Sequence, residues 1–120
     1  MPSNKIAARL HDILMNIARI ERFVAGMDRA AFENDEKAIF ASLHALLIIS
    51  EAARKLGTEA DMLMPEQPWA GIRGIGNVLR HDYDGVDPAI VWRVLATGDL
   101  ESLRQSVERA LGGLTEGDPP

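Results

Sequence analysis

Between Trp69 and Asp87 the sequence gathers side chains able to grip a phosphate and to move a proton. With Arg73 set at zero on a wheel of about 100° per residue, Asn77 falls near ~40°, His81 near ~80° and Arg80 near ~340°. Tyr83, near ~280°, flanks Arg80 if the helix persists that far. Two guanidinium groups, a carboxamide, an imidazole and a neighbouring phenol therefore share one arc. Arginine offers a fixed fork to phosphate oxygens and histidine exchanges protons near neutral pH, so the set suits work on a phosphodiester. Gly71, Gly74 and Gly76 lie inside the same predicted helix, where each costs about 1 kcal/mol relative to alanine. Glycine at such a position marks the close approach of another backbone or a ligand. Ile72, Ile75, Val78 and Leu79, from ~140° to ~260°, form the opposite, apolar side.

The elements that must carry this face are helical. Ile6, Leu10, Ile13, Ile17, Ile20 and Val24 recur at alternating spacings of four and three, which predicts a helix over residues 4–25 with one apolar seam. Ser3 or Asn4 can cap its start, and Gly26 stands where a left-handed residue would end it. Asp28 can cap a short turn through Phe32. Asn34 or Asp35 opens a second long helix ending near Gly57, apolar on nearly every side from Ala38 to Ala53, and therefore in need of cover on both flanks. One flank suits the first helix; the other needs the rest of the chain or a second copy. Thr58 to Met64 reads as a capped turn and residues 65–68 as a connector. Pro68 then starts a third helix from Trp69 to about Tyr83, and Asp87-Pro88 an Ala89–Thr97 helix. Gly98 stops that helix, and Asp99 caps a last one from about Leu100 to Leu111, with Gly112-Gly113 ending it and residues 113–120 a flexible tail. No strand alternation appears. The fold class is all-α, an up-and-down bundle of about five helices, in one domain over residues 1–112.

Composition narrows the function classes. Across 120 residues, 18 acidic against 13 basic side chains give a net charge of −5, which argues against a generic basic nucleic-acid binder but leaves room for a small local basic site. There is no cysteine, hence no disulfide framework, thiolate nucleophile or Cys-bound zinc. No His-x₃-His or Glu-x-x-His spacing suggests a metal, and no cofactor is expected. The Ala45–Ile49 run is far short of the ~20 residues that cross a bilayer, and the start of the chain does not read as a signal peptide, so a cytoplasmic protein without a membrane is expected. Of the other titratable groups, His44 reads as a core or interface histidine. His11, Asp82 and Asp84 read as solvated, and Glu51 as bonded to the third long helix or to backbone. Trp69 and Trp92 read as packing anchors.

Asn77-Val-Leu-Arg-His81-Asp-Tyr83, preceded by Trp69 and followed by Val86-Asp87 and Val91-Trp92, resembles the signature of HepT-like proteins in the HEPN superfamily. Ile48-Ile49-Ser50-Glu51-Ala52-Ala53 is similar to that family's second-helix segment, and the resemblance spans about residues 4–111. It implies an all-α homodimer whose paired signature helices form a composite cleft. It also implies a metal-independent endoribonuclease toxin of a type VII toxin–antitoxin pair, acting on RNA. The implied partner is an MntA-like nucleotidyltransferase antitoxin that adds AMP to the signature tyrosine. Carried over by position, His81 is the catalytic histidine, Tyr83 the modified tyrosine and Asn77 the polar residue that ordinarily follows the signature arginine. The chain departs at Gly76, where the family usually has that arginine. Arg80 and Arg73 are the available substitutes for phosphate binding. The alternative is a non-catalytic HEPN binding module that docks a nucleotidyltransferase or a nucleotide.

Overall fold

The computed structural model describes residues 3–82 and 84–117, and among them the chain forms seven helices and no strand. In α1 (Ser3–Phe23) the expected seam is the core-facing edge: Ile6, Leu10, Ile13, Ile17 and Ile20 are all buried. The chain leaves α1 through Gly26 at φ 76°, a left-handed conformation that costs glycine no Cβ clash. The side chains of Ser3 and Asn4, expected as caps, lie outside the described residues.

Side-chain caps set the next boundaries. The Asp28 carboxylate accepts a 2.9 Å hydrogen bond from the Ala31 N–H and opens α2 (Arg29–Glu33). Asp35 does the same for the Ala38 N–H at 2.9 Å and opens α3 (Glu36–Leu56). Glu36 in the first turn of α3 and Arg54 and Lys55 in its last turn complement the helix dipole. The segment read as a capped turn is the short helix α4 (Thr58–Leu63). After it come α5 (Trp69–Asp82) and α6 (Pro88–Ala96), the latter capped by Asp87 through the Ala89 N–H at 2.9 Å with Pro88 in its first turn. The last helix, α7 (Asp99–Gly117), differs from expectation: it continues through Gly112-Gly113 to Gly117. Two glycines weaken a helix by about 1 kcal/mol each without obliging it to stop.

α3 is the spine. α1 packs along one flank and α5 along another, α7 lies on α1, and α6 bridges α2 and α7. Phe32 of α2 is fully buried, with its ring centroid 5.4 Å from that of Trp92 in α6. The small buried residues Ala45, Ala52 and Ala53 in α3 let neighbouring helices approach closely. The molecule measures 50 × 30 × 21 Å, so its short axis is about two helix diameters. Such a slab cannot enclose an apolar helix on every side. α3 accordingly keeps Phe40 at 40% exposure, with His44 exposed and Ile48 half-buried along the same edge. Of the two expectations for His44, the core is excluded: it is exposed on this chain's surface, beside Phe23, Asn16 and Arg19.

Candidate active site

The site is carried by α5, and three contacts set that helix in place. At its start, the Trp69 indole is buried and its Nε1–H donates to the Met64 carbonyl at 2.8 Å. The connector before it is pinned to α7 by Gln67, whose Nε2 donates to Ser106 Oγ at 2.8 Å, Ser102 Oγ at 3.0 Å and the Ser102 carbonyl at 3.2 Å. Ser106 Oγ in turn donates to Glu66 at 2.5 Å. Halfway along α5, the buried Ser50 hydroxyl from α3 donates to the Arg73 carbonyl at 3.0 Å and accepts from the Gly76 N–H at 2.8 Å. A helix fixed at its base and middle presents its outer face in one orientation.

That outer face carries Asn77, Arg80 and His81, all exposed. The His81 imidazole is neither buried nor hydrogen-bonded among the described residues, so both ring nitrogens are open to a substrate. Arg80 Nη1 pairs with Glu51 Oε1 of α3, while Glu51 Oε2 accepts from Arg54 Nη2 at 2.8 Å. The Arg54 hydrogen bond, helped by the charges of Arg54, Arg80 and Lys55 and partly opposed by burial, holds the Glu51 carboxyl below its ordinary range. One carboxylate thus bridges two guanidinium groups, and the cluster with Lys55 keeps a positive balance at the α3–α5 seam.

Arg73 is turned away from this group. Its Nη2 donates at 2.9 Å to both the Gly57 carbonyl and the Asp61 carboxylate, tying α5 to the α3–α4 junction. Its position on the sequence arc is right, but its guanidinium is engaged one turn short of the others. Asp82 and Asp84 are exposed, as expected, and His11 likewise. Tyr83 lies outside the described residues. No group of three His, Asp or Glu side chains that could hold a metal ion occurs among the described residues.

The glycines separate into two kinds. At Gly76 a Cβ would overlap Ser50 Oγ, and it would stand 3.0 Å from Ser50 Cβ and 3.2 Å from Arg80 Nη1. At Gly71 and Gly74 a Cβ would meet nothing within 4 Å, and both residues are exposed. Val78, expected on the inner side of α5, is 56% exposed. With Gly71, Gly74, Val86, Ile90 and Val94 it lines an apolar groove between α5 and α6. On the wheel, Gly74, Val78 and Gly71 at about 100°, 140° and 160° continue directly from His81 at about 80°, so this groove borders the polar face. Sequence reasoning missed Ser50, Gln67 and Asp61. The signal for the first was available: a hydroxyl inside an apolar helical run needs a partner once buried.

Comparison with known proteins gives a consistent picture. The family described as "Ribonuclease HepT-like" matches residues 13–110. A protein of Methanocaldococcus jannaschii named "Putative RNase" is 30% identical over 108 residues, covering 90% of this chain and 98% of the relative. A "Probable ribonuclease HepT" of Thermococcus cleftensis is 34% identical over 100 residues, covering 83% and 90% respectively. No solved structure matches the chain significantly.

Proposed function

The chain belongs to the HepT-like ribonuclease family, and from that premise we propose that it is the ribonuclease toxin of a toxin–antitoxin pair, cleaving RNA without a metal at a site built on α5. The observation that carries this reading is the exposed His81 beside Arg80 and Asn77 on a helix whose inner face is locked to α3. His81 takes the proton from a ribose 2′-hydroxyl, the 2′-oxygen attacks phosphorus, and the bond to the 5′-oxygen breaks. The products are a 2′,3′-cyclic phosphate and a 5′-hydroxyl, the leaving oxygen receiving its proton from an imidazolium. Arginine charge stabilises the phosphoryl oxygens as negative charge gathers on them, and Asn77 orients the phosphate or the imidazole.

A homodimer fits this chemistry. Gly71 and Gly74 offer bare backbone to a second helix, and Val78, which lines the apolar groove with Ile90, stands one turn before His81 on α5. Its occupant in this reading is α5 of a second copy. Two His81 residues then face one cleft and divide the roles of base and acid. The partner that silences the toxin is an MntA-like nucleotidyltransferase that adds AMP to Tyr83, placing bulk and negative charge at the phosphate site. The setting is cytoplasmic, and no described helix is long and apolar enough to cross a membrane.

The test is expression of the chain alone, the His81→Ala variant, and the chain together with such a nucleotidyltransferase. Growth arrest relieved by His81→Ala and by the nucleotidyltransferase, with relief by the latter lost in Tyr83→Phe, is the expected pattern. The alternative, a non-catalytic HEPN module docking a nucleotidyltransferase or a nucleotide, draws on Gly76 in place of the signature arginine. It predicts a folded, harmless protein that binds the nucleotidyltransferase equally well with His81→Ala.

A further inference from the structure

We propose that Ser50, Gly76 and Glu51 are positioning residues that seat Arg80 as the phosphate-binding guanidinium, in place of a side chain at position 76. The proposal rests on the ribonuclease reading above and names the group that holds the substrate's phosphate. Its ground is the packing at the α3–α5 seam. Ser50 Oγ occupies the space into which a residue 76 side chain would leave the helix, and it spends both its hydrogen bonds on α5 backbone. A side chain at position 76 therefore requires Ser50 to shift from this position.

The space above Gly76 is then filled from one turn further on. Arg80 Nη1 lies 3.2 Å from where a Cβ at 76 would stand, and Glu51 holds it there. A guanidinium thus occupies the surface over residue 76 although residue 76 has no side chain. Arg73, the other arginine on the arc, has its Nη2 committed to the Gly57 carbonyl and Asp61. Arg80 precedes His81 directly in α5, remains 43% exposed at the side chain, and can meet a phosphate without leaving Glu51. A planar guanidinium carries donors on more than one edge, so one edge can stay on the carboxylate while another meets the ligand.

The proposal makes residues 50, 76 and 80 interdependent. An alanine at 76 pushes against Ser50 and displaces the Arg80 head; removing the Ser50 side chain gives that methyl room. The experiment measures cleavage of an oligoribonucleotide, and binding of its uncleavable 2′-O-methyl form, by the full chain. The variants are Arg80→Ala, Arg80→Lys, Gly76→Ala, Ser50→Gly and Ser50→Gly/Gly76→Ala, with circular dichroism as the check on folding. We expect Arg80→Ala to weaken binding about tenfold or more and Arg80→Lys to recover part of that. We expect Gly76→Ala to weaken it about tenfold and the double variant to return within about threefold of Ser50→Gly. Introduced into Arg80→Ala, Gly76→Ala should add no further loss, because its effect travels through Arg80.

Gly76→Ala with unchanged binding, or an equal further loss in the Arg80→Ala background, overturns the proposal. If Gly76→Ala does not fold, Ser50→Gly/Gly76→Ala against Ser50→Gly, each with and without Arg80, decides the question in the same way. Absence of cleavage by the unaltered chain overturns the ribonuclease reading instead. The binding arm then still decides the role of Arg80: loss of affinity in Arg80→Ala and Gly76→Ala supports it, and equal affinity in both refutes it.

Discussion

At the scale of single residues, α5 divides the labour between holding and reacting. Arg73 sits on the sequence arc of reactive groups, yet its guanidinium is a tether to Gly57 and Asp61. Arg73→Ala should cost about 1 kcal/mol, the worth of an ordinary hydrogen bond with little added by an exposed ion pair. A denaturant titration checks this, and RNA affinity should change less than in Arg80→Ala. His81→Ala should leave the melting temperature nearly unchanged, since surface substitutions stay within about ±0.5 kcal/mol, while cleavage falls at least about a hundredfold. The types and spacing of these residues were legible in the sequence because a helix converts spacing into angle. What angle does not give is reach: a long arginine can turn back to a carboxylate or carbonyl on another element, and that partner is set by the tertiary fold. Ser50 escaped for the same reason, its two bonds crossing from α3 to α5.

At the scale of elements, boundaries written in caps were readable and boundaries written in packing were not. Asp28, Asp35 and Asp87 each accept the hydrogen bond that their sequence context predicts. By contrast, α7 runs through Gly112-Gly113, because glycine is a permissive stop rather than an obligatory one. Hydrophobicity alone puts Val78 on the inner side of α5, but α6 leaves that side open and Val78 is exposed. The connector before α5 depends on Gln67, whose amide serves Ser102 and Ser106. Gln67→Leu should cost about 1–3 kcal/mol by removing the amide's hydrogen bonds to Ser102 and Ser106, measured by chemical denaturation. Glu66 on the same connector has its carboxyl pKa lowered, chiefly by the Ser106 hydroxyl and then by its own backbone N–H, partly opposed by burial and helped further by Arg109. A lowered folded-state pKa contributes stability that is fully present above the ordinary carboxylate value of 4.5 and is lost as pH falls through the folded value. Melting temperatures taken between pH 6 and pH 3 should therefore fall less steeply in Glu66→Gln than in the unaltered chain.

At the scale of the whole molecule, a slab two helices thick leaves the candidate residues of α5 exposed and an apolar groove open between α5 and α6. The all-α class followed directly from helical periodicity, whereas the flatness that leaves α3 open along one edge depends on how helices stack and left no mark on any one segment. In the proposed dimer, a second copy covers the groove through α5 and meets Gly71 and Gly74, where a Cβ would touch nothing within 4 Å among the described residues. Val78→Asp should then convert a dimer to a monomer in sedimentation equilibrium and lower cleavage in parallel, because both imidazoles of a cleft are needed. With a net charge of −5, the grip on RNA must be local, and affinity should fall steeply as salt rises. Whether the α5 imidazole cuts RNA is read from the ends of RNA treated with the purified chain. The unaltered protein should leave 2′,3′-cyclic phosphate and 5′-hydroxyl ends, and His81→Ala none. Intact RNA with a folded unaltered protein, or identical ends from both proteins, would contradict cleavage by this imidazole.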